Sequence, residues 1–122
     1  MLLAKLEKFE SGKKYLNKDI SLAQMASMFE TNTKYLSEII NKYKRKNFNS
    51  YINDLRIGYV VKQLKNDPKY LNYKVSYLAE ECGFSSHSLF SAAFKNSTGI
   101  TPNVFIQFLS EDRNKTTEKQ TA

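Results

Sequence analysis

The sequence predicts an all-α fold: two helix-turn-helix subdomains joined by a long connector helix, about seven helices in all. Three observations carry this expectation. One stretch of the chain is written twice, about 53 or 54 residues apart. Apolar residues recur at helical spacing along almost the whole length. Four glycines and two prolines in 122 residues supply too few turns for a sandwich of short strands.

The two copies run from Ser21 to Lys42 and from Lys74 to Lys95. Ala26 answers Ala79, Leu36 answers Phe90, Ser37 answers Ser91 and Ile40 answers Phe94; beyond them Phe48 answers Pro102 and Tyr51 answers Phe105. Each copy has the layout of a helix, a short polar turn and a second helix.

Taken in order, Leu2, Leu6 and Phe9 set a helix over residues 2–11, which Gly12 stops. Ser21 with Gln24 three residues later makes a capping box, and Leu22, Met25, Ala26 and Phe29 give the next helix its inward stripe. Residues 30–33 form a polar break in which Asn32 or Thr33 can cap the third helix. That helix has an apolar face of Tyr35, Leu36, Ile39, Ile40 and Tyr43, and an opposite face of Lys34, Ser37, Glu38, Asn41 and Lys42.

The connector is expected over about 48–66, with Phe48, Tyr51, Ile52, Leu55, Tyr59 and Leu64 on its buried side, and it stops before Pro68. A helix of about 19 residues spans roughly 28 Å, close to the roughly 34 Å between successive major-groove faces of B-DNA. In the second copy Val75, Leu78, Ala79 and Cys82 face inward, and Gly83 stands where a left-handed turn is cheapest. Ser85 or Ser86 caps the sixth helix, with Leu89, Phe90, Ala93 and Phe94 inward. Thr101 and Pro102 open the seventh, which packs through Phe105, Phe108 and Leu109. The folded domain is expected to occupy residues 1–109, its helix-turn-helix units about 21–43 and 74–97, with a polar, disordered tail over 110–122.

Charge is distributed unevenly. Residues 1–72 hold 14 Lys/Arg against 7 Asp/Glu, while residues 73–122 hold 5 of each, so the net charge of +7 belongs to the first part. Lys42, Lys44, Arg45 and Lys46 cluster at the end of the third helix, the footprint expected of phosphate contacts. No apolar run reaches a membrane span, and charged residues come too early for a signal peptide. The lone Cys82 excludes an internal disulfide and fits a reducing, cytoplasmic compartment. One histidine, one cysteine, no phosphate-binding glycine loop and no metal-ligand spacing give an enzyme almost no support, and no cofactor is expected.

A helix-turn-helix works by laying its second helix in the major groove, with N-terminal side chains at base edges and backbone amides at phosphates. Two such units with a connector of suitable length point to a module that reads two consecutive stretches of double-stranded DNA. The other reading is a helical interaction module whose grooves hold a protein, its charge serving an acidic partner. The charge distribution further predicts that the first unit supplies most of the DNA-binding energy.

The stretch Leu78-Ala79, Gly83-Phe84-Ser85, Phe90-Ser91, Phe94-Lys95 and Gly99–Pro102 resembles the second-repeat signature of the AraC/XylS family of transcription regulators; Leu36-Ser37 and Tyr51–Arg56 resemble its first repeat and connector. The resemblance covers about residues 2–109, and the form of residues 31–37 and 48–56 is most similar to regulators of Bacteroidetes type. It implies seven helices, with the third and sixth in adjacent major grooves. It also implies an output domain, expected to be that of an activator acting with RNA polymerase. An upstream sensor or dimerisation region, tethered in some relatives to the membrane, would lie outside this chain.

Carried over by position, the resemblance assigns base reading to Lys34, Ser37 and Glu38 in the first unit, and to His87, Ser88, Ser91 and Ala92 in the second. Lysine can donate to guanine and glutamate can accept from cytosine. Glu38 can equally be a solvated carboxylate beside Lys34 or Lys42, and His87 an ordinary surface histidine. Ala92 and Ile106 stand where the family commonly has arginine, and Arg45 where it has glycine. Phosphate contacts are expected from Lys42, Lys44, Arg45, Lys46, Lys74 and Lys95 and from the hydroxyls of Thr33 and Ser86. Arg56 reads instead as a structural anchor of the connector, and Cys82 as a small core residue.

Overall fold

The computed structural model describes the backbone of residues 2–121 and the side chains of residues 2–112. Among them every regular element is helical: α1 (Leu2–Ser11), α2 (Leu22–Met28), α3 (Thr33–Lys44), α4 (Phe48–Asn66), α5 (Val75–Glu81), α6 (His87–Thr98) and α7 (Pro102–Thr121). Short 3-10 turns at Lys14–Leu16 and Pro68–Asn72 add to these. No described helix is long and apolar enough to cross a membrane. The chain divides into two compact units, residues 1–56 and 57–122.

In the first unit α2 packs on α3 and α1 joins them. Leu6, Met25, Leu36 and Ile40 are fully buried there, and Phe9 lies edge-on to both Tyr15 and Phe29. Burying four such side chains removes on the order of 6–12 kcal/mol of apolar exposure. Arg56 is the only buried charged residue described, 8% exposed. Its Nε donates to the Tyr15 carbonyl at 2.6 Å and its Nη2 to the Asn17 carbonyl at 2.8 Å. This is the anchoring role expected of it, and it fixes the loop between α1 and α2.

The second unit repeats the arrangement, with α5 on α6 and α7 against both α6 and the Pro68–Asn72 turn. Aromatic rings fill the place taken by aliphatic chains in the first unit. Phe84, Phe90, Phe94 and Phe105 form a chain of ring contacts with centroids 5.5–5.8 Å apart, edge-on at its two ends and tilted between Phe90 and Phe94. Cys82 is wholly buried, as a core residue should be.

Both turns between the paired helices share one backbone design. Thr31 N–H bonds the Ala26 carbonyl and Phe84 N–H bonds the Ala79 carbonyl, each at 2.9 Å. The left-handed position falls on Gly83 (φ 93°) in one copy and on Glu30 (φ 58°) in the other. Ser21, Asn32 and Ser86 each accept the amide three residues on, so the expected caps are present; for α3 it is Asn32 and for α6 Ser86. Thr101 does the same for α7, before Pro102.

Several expectations are corrected. Leu89 and Phe108, placed inward from the sequence, are 57% and 64% exposed, and Tyr35 and Tyr43 lie about half exposed. On α6 the core is already filled by Phe90 and Phe94, four residues apart, which turns Leu89 to the flank. The buried side of α4 includes Ile57 and Val60, which the expected stripe omitted.

Candidate nucleic-acid interface

α3 and α6 present matching surfaces. From Thr33 to Lys42 and from His87 to Asn96, every pair of positions 54 apart has the same burial. Leu36 and Ile40 are sunk into the first core as Phe90 and Phe94 are into the second. Lys34, Glu38 and Asn41 stand exposed where Ser88, Ala92 and Lys95 do, with Ser37 and Ser91 partly covered between them. At 100° per residue, positions 34, 37, 38 and 41 fall within one sector of the helix, opposite 36 and 40. The predicted base-reading residues therefore share one outward face on each helix. His87 and Thr33 occupy the first helical position of that face's edge.

Capping prepares the same ends. The Asn32 and Ser86 side chains take the amides of Tyr35 and Leu89, while amides of the first two positions on each helix have no intrahelical acceptor. Such amides, with the positive end of the helix dipole, suit a phosphate. The Ser86 hydroxyl still has a proton to donate.

The basic cluster after α3 is more divided than its sequence suggests. Lys44 Nζ lies 3.0 Å from Glu10 Oε2, and Lys46 pairs with Asp54. Arg45 caps α3 in a left-handed conformation (φ 57°), with its side chain exposed. Lys42 lies 5.3 Å over the Tyr43 ring. Of the four cations, Lys44 and Lys46 are engaged with the protein itself, while Lys42 and Arg45 have no carboxylate partner among the described residues. Lys74, before α5, and Lys95, on α6, are exposed. No partner for a distant pair such as Lys44–Glu10 can be read from local sequence.

Sequence reasoning places Tyr35 near the base readers of the first unit but passes over Leu89, which answers it. Both occupy the third position of their helices and flank the reading face with exposed apolar surface. The signal lay in the repeat itself, since the two residues align. Asn96, aligned with Lys42, is exposed in the same way.

The fold has known counterparts. Residues 25–107 match the family model described as a helix-turn-helix domain. Over 91 residues the chain is 33% identical to the transcriptional regulatory protein YesN of Bacillus subtilis; the match takes in 73% of this chain and 24% of YesN. The chain therefore spans about a quarter of that relative. Among solved structures, the C-terminal domain of AraT, a response regulator from Geobacillus stearothermophilus, superposes with a TM-score of 0.72 at 21% identity, covering 86% of this chain and 83% of that one. The DNA-binding domain of the global transcriptional factor AdpA, solved in complex with a target DNA, gives 0.75 at 15% identity, covering 92% and 96%. These two likenesses are of fold. With the matched helix pairs, the shared turns and the family model spanning both units, the chain belongs to the helix-turn-helix domain family, in its AraC type.

Proposed function

We propose that this chain binds double-stranded DNA in a sequence-dependent way, laying α3 and α6 in adjacent major grooves, as the output domain of a transcription regulator. The observation that carries this reading is the position-by-position match of burial along α3 and α6. Two unrelated helices in one core have no reason to expose corresponding residues; two copies of a reading element do. Lys34 and Glu38 read bases in the first unit, and His87, Ser88 and Ser91 in the second, with Ala92 limited to a thymine methyl. Lys42 and Arg45 meet phosphates, with Thr33, Lys74, Ser86 and Lys95 in support.

In this reading the domain has no catalytic step. It works inside the cell with RNA polymerase, as an activator governed by sensor or dimerisation regions outside this chain. YesN is a regulatory protein about four times the length of the match, which is consistent with such an arrangement. Weak affinity of the single domain would be raised by pairing through those regions.

A salt titration of duplex binding tests the reading. The log–log slope should be several units, about one for each phosphate neutralised. Changing Lys42 and Arg45 together to alanine should flatten it by about two units, whereas Lys44→Ala with Lys46→Ala should change it less. A slope near zero, or equal affinity for duplex DNA and for an unrelated polyanion at physiological salt, would remove the proposal.

A further inference from the structure

We infer that the first unit carries a second interaction surface: a groove between α1, the Lys14–Leu16 turn and α2 that receives an acidic, apolar-anchored segment of a partner protein. This stands apart from the DNA reading and uses none of its residues.

The groove consists of two abutting depressions. One, of about 400 Å³, has a floor of Phe9, Phe29 and Met28, and Lys5, Lys8 and Lys13 stand around it. The other, of about 480 Å³, continues past Met28 and Lys14 to Ile20 and Gln24. Met28 and Lys14 line both, so the surface is elongated rather than a closed cup. Four lysines and no carboxylate line it.

Helix geometry explains the segregation. On α1, Lys5 and Lys8 fall within one 60° sector, while Glu7 and Glu10 lie about 140–200° around from Lys5. Glu10 is in any case committed to Lys44 and Tyr51. Lys5 Nζ donates to the Phe29 carbonyl at 2.8 Å, which ties the lysine edge of α1 to the end of α2.

The occupant follows from what the groove offers. A small anion would use the lysines and waste the apolar floor. A phosphate backbone would do the same, leaving Met28, 41% exposed, with nothing apolar to cover it. A peptide with an apolar side chain laid on the exposed Met28, above the buried Phe9 and Phe29 rings, and flanked by Asp or Glu, uses both features. Methionine is also the side chain best able to reshape around such an anchor.

Selection from a phage-displayed random dodecapeptide library against the free 122-residue chain tests this. Recovered peptides should combine acidic residues with Leu, Ile, Phe or Met, and should shift the Met28 methyl resonance on titration. The double variant Lys8→Glu, Lys14→Glu should weaken them about tenfold. Met28→Gln, which leaves the charge intact, should weaken them several-fold, with the circular dichroism of both variants unchanged. Failure to recover peptides, recovery of peptides without acidic enrichment, or equal binding to both variants would overturn the proposal. So would a matching loss of duplex DNA affinity in the double variant, which would make these lysines phosphate contacts.

Discussion

The Tyr51 hydroxyl donates to Oε2 of Glu10 at 2.6 Å, and the same carboxylate pairs with Lys44 at 3.0 Å. Three elements meet at this carboxylate: the last turn of α1, the end of α3 and the first turn of α4. The arrangement fixes the end of the candidate reading helix. It also takes one cation out of the cluster that sequence alone would assign to DNA. Burial foremost, and then the Glu10 carboxylate, hold the Tyr51 phenol in its protonated form and raise its pKa well above the ordinary value.

That shift makes stability depend on pH at the alkaline end. In the unfolded chain the phenol ionises near pH 10, whereas in the folded chain it resists. The stabilisation is therefore complete below about pH 10 and is lost as pH rises beyond it. Tyr51→Phe should cost about 1 kcal/mol at neutral pH and should show a shallower fall in stability between about pH 10 and 11.5. Urea midpoints of the two proteins across this range check it; parallel curves would contradict the assignment.

Arg56 should be among the least replaceable residues outside the reading faces. Arg56→Ala leaves two carbonyls of the α1–α2 loop without their donors and should cost about 2–3 kcal/mol. Lysine cannot reproduce the forked geometry and should rescue less than half of that loss. Equilibrium unfolding of the three proteins decides it.

The left-handed turn positions give a stabilising change. Glu30 stands at φ 58° where its counterpart is glycine, and an L-residue there costs roughly 1–2 kcal/mol. Glu30→Gly should raise stability by about 1 kcal/mol, and Gly83→Ala should lower it by a similar amount. Thermal or chemical unfolding would show opposite signs for the two changes.

The two reading faces should respond differently to substitution. Lys34→Ala should cost about 1–3 kcal/mol on a preferred site and much less on random duplex. Ala92→Arg adds a cation to the reading face of α6 and should steepen the salt slope by about one unit. Equal losses on all sequences for the first, or no change in slope for the second, would remove these residues from the interface.

Much of this was legible in the sequence, for identifiable reasons. The bounds of α1 and α4 follow from helical periodicity and breakers, and the caps at Ser21, Asn32 and Ser86 from side chains that satisfy a free amide. The short turns at Lys14–Leu16 and Pro68–Asn72 carry no periodic signal and were not foreseen. α4 defeats a single-stripe reading because Tyr51, Ile52, Ile57 and Val60 are buried on different sides of its axis. Leu89 and Tyr35 were misplaced because apolar residues adjacent to a core position read as core. Lys44 reads as part of a free cluster because Glu10 is 34 residues away in sequence and only the fold brings the two together, whereas the partner of Lys46, Asp54, lies within the same local stretch of chain.

The central claim is that α3 and α6 read two consecutive stretches of one duplex, the first unit supplying most of the binding energy. Selection of bound duplexes from a random library, followed by single-base substitution of the winner, tests it most directly. The account predicts a two-part motif whose halves are centred about one helical turn, roughly 10 base pairs, apart, with larger mutational costs in one half. Assignment of that half to α3 comes from its loss of preference in Lys34→Ala. A single-block motif, equal costs in both halves, or no enrichment at all would contradict the account.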